Sequence, residues 1–190
     1  MIKNIIKYPT PLSLEYGVDV RVFDEKLFAL IEDLQDTIIE NNLDALHAFE
    51  IGSYFNIIVI KQDDGSFLEL INPLLISHSG TVTTVEKTAY YGEYEAEITR
   101  FEKVSIVYQD RDAKDCTISF DGKLAIVVQR ALDYSFGATF LHRLSKEQKD
   151  HFLAALENGN KKRSSKGSSS LWLFLVPIVL FVGIAYYIFV

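Results

Sequence analysis

Hydrophobic residues fall into three kinds of pattern along the chain. From Asp24 to Asn41 they recur at helical spacing: Leu27, Leu30, Ile31, Leu34, Ile38 and Ile39 share one face, and Asp24 can cap the first turn. Short apolar runs bounded by turn residues follow. Tyr54 to Ile60 reads as a buried strand, and Asp63-Asp64-Gly65 as a turn into a second strand, Phe67 to Ile71, which Asn72-Pro73 should end. Thr81 to Val85, Ile98 to Tyr108 and Cys116 to Phe120 predict further strands. Helical spacing returns from Gly122 to about Ser135, through Leu124, Val127, Val128, Ala131 and Leu132, with Asp121 as the cap. Ser145 and Gln148 form a capping box for a last helix whose apolar face is Phe152, Leu153 and Leu156. Helix, several strands, helix, helix is the order of an α+β domain rather than of alternating βαβ units.

The third pattern is a continuous one. Leu171 to Val190 carries no charge. A helix of twenty residues spans roughly 30 Å, the thickness of a bilayer core, and Trp172, Tyr186 and Tyr187 sit near its ends as in an aromatic belt. One transmembrane helix is expected at 171–190. Residues 159–170 form a Gly/Ser-rich linker with Lys161, Lys162, Arg163 and Lys166. Basic residues beside a span stay on the cytoplasmic side, so the globular domain, 1–158, is expected to face the cytoplasm.

Charge narrows the partners. All 26 acidic residues precede the linker, and four of the 19 basic ones lie within it. The globular part is therefore strongly acidic, which argues against nucleic acid as a partner. The lone cysteine, Cys116, allows no intrachain disulfide, and in a strand it reads as a small core residue.

Several strings, in order and spacing, resemble the peptide deformylase family: Lys7-Tyr8-Pro9, Ile57-Ile58-Val59-Ile60, Leu70-Ile71-Asn72-Pro73, Ser79-Gly80, Glu102-Lys103-Val104, Asp110-Arg111-Asp112, Asp121-Gly122, Leu124-Ala125-Ile126 and Gln129. The resemblance covers roughly residues 5 to 157. It implies the α+β deformylase fold, and a metallohydrolase that removes formyl groups from the N-termini of nascent bacterial proteins.

The family's three motifs are altered here. The helical Gln-His-Glu-x-x-His becomes Gln129-Arg130-Ala131-Leu132-Asp133-Tyr134, so Arg130 and Tyr134 stand for two metal-binding histidines and Ala131 for the catalytic glutamate. In the motif whose cysteine is the third ligand, that position is Thr88, within Glu86-Lys87-Thr88-Ala89-Tyr90. In the first motif, Leu43 to Glu50, Glu50 takes the place of the oxyanion-stabilising glutamine. A guanidinium in a ligand position opposes a cation.

From these departures the expectation is a catalytically inactive deformylase-like domain: no enzyme, no metal, no cofactor. It would be tethered by a single span to a membrane, the cell inner membrane if the source is a bacterium or its phage, and would recruit an extended peptide or a partner protein. Its groove would run past Ala45, Leu46, Thr88 and Ala89, with Glu50 and Arg130 as floor; Arg130 would pair with Glu50 beside Tyr134, unless both are independent solvated charges. Two alternatives stay open. One is an altered metal-dependent hydrolase with a site rebuilt around His47, Glu50 and Glu86; His78, His142, His151 and Cys116 are scattered at no ligand spacing. The other is a structural or regulatory membrane component with a closed groove.

Overall fold

The computed structural model describes residues 1–10, 12 and 17–172; they fall into two units that divide between Leu144 and Ser145. In the first unit, α1 (Glu25–Asn41) starts where expected: Asp24 accepts from the amides of Lys26 and Leu27, satisfying donors that a helix start leaves open. Five strands make one antiparallel sheet in the order β1 (Ala45–His47), β2 (Ile57–Lys61), β3 (Phe67–Ser79), β6 (Lys103–Gln109) and β7 (Asp115–Asp121); β4 (Val82–Lys87) and β5 (Glu95–Arg100) pair separately. α2 (Gly122–Ser135) follows β7 directly.

The run Ile57-Ile58-Val59-Ile60 is apolar throughout because its strand is covered on both faces. Side chains alternate across a strand. Ile58 and Ile60 pack with Leu70, Val104, Ile106 and Phe120 against Ala125, Val128, Ala131 and Leu132 of α2. Ile57 and Val59 pack with Ile71 and Leu46 against Leu27, Ile31, Leu34 and Ile38 of α1. Each such side chain, fully buried, is worth about 1.5–3 kcal/mol.

Three details differ from the expected pattern. Asn72-Pro73 does not end its strand: β3 runs on to Ser79, with a register shift against β6 between Ile71 and Leu74. Asn72 takes a positive φ of 52°. Its side chain accepts from the Val20 amide and donates to the Val20 carbonyl and to Gln109, so the irregularity is held by hydrogen bonds. The stretch Ile98–Tyr108 is two strands in different sheets, parted at Phe101-Glu102, where Gln129 bonds both the amide and the carbonyl of Phe101. Asp121 stands at the start of α2 but makes no side-chain capping bond.

In the second unit, α3 (Lys146–Trp172) opens on the Ser145/Gln148 capping box. It runs as helix through 159–170, where a coil-like linker was expected; Lys and Arg are good helix formers and the stretch holds no proline. The membrane expectation is corrected. Among the described residues no helix is long and apolar enough to cross a membrane. The expected span at 171–190 lies, from 173 onward, outside the described residues. The expected tether and membrane location find no support among the described residues.

Candidate functional site

The positions singled out by the motifs converge. Glu50, Thr88, Arg130, Ala131 and Tyr134 line one small cavity of about 50 Å³, with Ala45, Ala89 and Lys87 on its walls. Three elements bring them there. A 3-10 helix, Ala48–Ile51, carries Glu50 and follows β1. Thr88 lies immediately beyond β4. Arg130 and Tyr134 are four residues apart on α2 and so share a face. Of the expected groove residues, only Leu46 is turned elsewhere: its side chain is fully buried against α1.

Glu50 is locked in place by a reciprocal cap. Its Oε2 accepts from the His47 amide at 3.0 Å, and His47 Nδ1 accepts from the Phe49 amide at 3.1 Å. Burial raises the Glu50 carboxyl from 4.5 to about 7, against the opposing pull of the His47 amide, Arg130 and Tyr134. Arg130 shares the cavity but forms no salt bridge with Glu50, so the expected ion pair is not made. Tyr134 is 2% exposed. Its Oη is the one buried side-chain polar atom without a hydrogen bond of normal geometry among the described residues, and Glu50 and Thr88 are its longer-range hydrogen-bonding partners.

His47 is occupied structurally. Because Nδ1 accepts a backbone hydrogen bond, the proton of the neutral ring is assigned to Nε2, which donates to Ser135 Oγ at 3.1 Å; Ser135 in turn donates to Asn56 Oδ1. Burial lowers His47 from 6.5 to about 3, so the ring stays neutral. A Ser–His contact with this proton order cannot take a proton from the serine.

Glu86, the third group of a rebuilt metal site, is committed to Arg100, whose Nε and Nη2 reach its two oxygens while Nη1 reaches Asp133. His78 stacks on Phe101, and His142 caps a second 3-10 helix, Phe140–Arg143. His151 is exposed, and Cys116 lies half-buried at 3.7 Å from Asp110. Among the described residues no three His, Cys, Asp or Glu could together hold a metal ion. The cavity offers Thr88, Arg130 and Tyr134 where a metal would need imidazole, thiolate or carboxylate. These residues do not fit a divalent cation.

A larger cavity of about 730 Å³ adjoins the small one through shared residues, Asp44, Val127 and Arg130. Val82, Val85, Ile126 and Val127 give it an apolar lining; Lys123, paired with Asp44, lines it too. Among the described residues β4 pairs only with β5, leaving one edge of β4 open. Sequence reasoning missed the Glu86–Arg100–Asp133–Arg143 cluster, since its members lie far apart in the chain. The one signal is a charge inside a predicted element: Arg100 falls in the expected strand Ile98–Tyr108 and Asp133 in the expected helix Gly122–Ser135, while Glu86 is by sequence a candidate metal ligand.

The family model for polypeptide deformylase matches residues 2–150. A peptide deformylase of Helicobacter hepaticus is 30% identical over 148 residues, covering 74% of this chain and 82% of its own. One from Helicobacter pylori strain Shi470 is 30% identical over 170 residues, 86% of this chain and 97% of its own. The crystal structure of a peptide deformylase from Legionella pneumophila superposes with a TM-score of 0.78 at 26% identity, covering 86% of this chain and 98% of that one. These likenesses overturn the expectation of a catalytically inactive recruitment domain: the relatives that match over most of the chain are named for an enzymatic activity, and none gives ground for reading this chain as a pseudoenzyme. By sequence and by fold alike, the chain belongs to the polypeptide deformylase family.

Proposed function

We propose that this chain is a hydrolase that removes an N-terminal formyl group from an extended peptide, at an altered site centred on Glu50. The observation that carries the reading is a buried carboxyl with a pKa of about 7 in a cavity with room for a reacting group. General acid–base groups work best when their pKa lies near the working pH. The open edge of β4 gives an extended peptide a place to add as a strand, ending at Lys87 and Thr88 on the cavity wall.

The chemistry assigned to Glu50 balances without a further reagent. Its carboxylate takes a proton from water as the water oxygen adds to the formyl carbon. It returns that proton to the peptide nitrogen as the C–N bond breaks. Formic acid and the free amine leave, and the acid passes its proton to the amine in solution. Such a group contributes about 10²–10⁴-fold.

The test is a formyl-peptide hydrolysis assay on the full chain, run with chelator and with added Fe(II), Ni(II) or Zn(II). Turnover above buffer is expected, rising with pH through about 7 as Glu50 ionises, and reduced about 10²–10⁴-fold in Glu50→Gln. No turnover under any of these conditions, or full turnover in Glu50→Gln, sinks the proposal.

A further inference from the structure

We infer that a second copy of this chain docks on the strand edge at residues 18–22, antiparallel and centred on Val20, to form a twofold dimer. Val18 pairs with Phe55 in an isolated parallel bridge. Its amide donates to the Tyr54 carbonyl at 2.8 Å, and its carbonyl accepts from the Asn56 amide at 2.9 Å. Two residues on, the Val20 amide donates to Asn72 Oδ1 at 2.7 Å and the Val20 carbonyl accepts from Asn72 Nδ2 at 2.9 Å. Val18 and Val20 thus both turn their main-chain groups inward, with the alternation of an extended strand. Those of Asp19 and Arg21 point outward and form no hydrogen bonds among the described residues. An open edge of this kind is a template for a further strand.

The charge pattern selects the occupant. Val18-Asp19-Val20-Arg21-Val22 is complementary to itself when reversed. In an antiparallel pair centred on Val20, Asp19 lies opposite the second copy's Arg21, and Arg21 opposite the second copy's Asp19. Opposed residues whose main-chain groups face one another exchange both hydrogen bonds, and Asp19 and Arg21 are the residues that face outward. A single twofold operation therefore closes the open main-chain groups and sets opposite charges across the edge at the same positions. Moving the centre to Asp19 sets carboxylate against carboxylate, and moving it to Arg21 sets guanidinium against guanidinium, so the charges fix the register. Both side chains are exposed, and neither enters an ion pair among the described residues.

The apolar face agrees with the charges. Val20 is buried in the core against α1, whereas Val18 and Val22, which share its face of the strand, are 54% and 68% exposed. They line a cavity of about 710 Å³ together with Leu27 and Leu30 of α1 and Phe55. In the same register Val18 stands opposite the second copy's Val22, so the exposed valines of each copy cover those of the other at the mouth of this groove. Exposed Tyr54 and Phe55 continue the apolar surface beside Val18. A strand this short buries less than the roughly 1,200–2,000 Å² of a standard stable interface, so the dimer is a weak, reversible one. The groove shares no residue with the two cavities around Arg130, and the inference stands apart from the hydrolase reading.

The experiment is sedimentation equilibrium on the full chain from about 5 μM to about 1 mM, with thermal melts to show that each variant folds. The wild type is expected to pass from monomer to dimer over this range. Asp19→Arg and Arg21→Asp each set like charges across the edge, and each alone should self-associate about 10–100-fold more weakly. An equimolar mixture of these variants sets opposite charges across the edge again and should form mixed dimers at wild-type concentrations. The double variant Asp19→Arg/Arg21→Asp should self-associate as the wild type does. Self-association unchanged in both single variants, or not restored in their mixture, overturns the proposal. A wild type still monomeric at about 1 mM overturns it as well, and leaves the edge to a strand from a different protein.

Discussion

Arg100 grips Glu86 with two parallel hydrogen bonds, Nε to Oε1 at 2.5 Å and Nη2 to Oε2 at 2.7 Å. The remaining nitrogen, Nη1, reaches Asp133 Oδ2 at 2.8 Å, and Asp133 also holds Arg143. Arg100 lies at the end of β5, Glu86 on β4 and Asp133 on α2. The cluster therefore fixes the strand that leads into Thr88 against the helix that carries Arg130 and Tyr134.

Removing the guanidinium strands the buried Glu86 carboxylate and leaves Asp133 with Arg143 alone. Breaking a buried ion pair from one side costs about 3–5 kcal/mol. Arg100→Gln should lower unfolding free energy by about that amount in urea titrations. A loss under about 1 kcal/mol, the size of an exposed pair, would mean the cluster is not the clamp described here.

Glu50 and His47 make stability depend on pH in opposite senses. Glu50 holds its proton to about 7 when folded against 4.5 when free, so its contribution is full below 4.5 and is lost as pH rises to about 7. His47 is neutral down to about 3 when folded against 6.5 when free, so its contribution is full above 6.5 and is lost as pH falls. Between 4.5 and 6.5 the slopes oppose each other and stability should be nearly level. Glu50→Gln removes one of them. The stability of wild type relative to this variant should fall by about 3 kcal/mol between pH 4.5 and 7.5. Parallel curves for the two proteins would refute the raised carboxyl.

Much of this architecture could be read from the chain. α1 and α2 have long apolar stripes and recognisable starts, and Ile57-Ile58-Val59-Ile60 announces a strand covered on both sides. The three-residue β1 and the 3-10 helix bearing Glu50 are too short for any period to emerge. The split of Ile98–Tyr108 was hidden because Gln129, on another element, sets the break at Phe101. At the site, the motif positions told which residues converge, while their pairing was misjudged. The Arg130–Glu50 ion pair presumed two charges, but burial holds Glu50 neutral at mildly acid pH.

Convergence itself can be tested with metal. If Thr88, Arg130 and Tyr134 surround one point, then Thr88→Cys with Arg130→His and Tyr134→His should create a three-ligand zinc site with an open fourth position. The triple variant should retain one zinc per chain through gel filtration, measured by elemental analysis, and the wild type none. A triple variant that folds but retains no zinc would show that the side chains do not point at a common centre.

The residues from Gln129 to Ser135 divide their tasks by position. Gln129 clasps Phe101, Asp133 anchors two arginines, and Ser135 joins His47 to Asn56. Arg130 and Tyr134, interleaved with them, form no such bonds of normal geometry among the described residues and face the cavity. Architecture and chemistry are thus written on the same two turns of helix in separable letters. Arg130→Gln should leave the melting temperature within a few degrees, whereas Gln129→Ala or Asp133→Ala should lower it well beyond that. Such a scaffold is evolvable in a specific sense: its reactive centre can be rewritten by point substitutions without passing through an unfolded intermediate sequence.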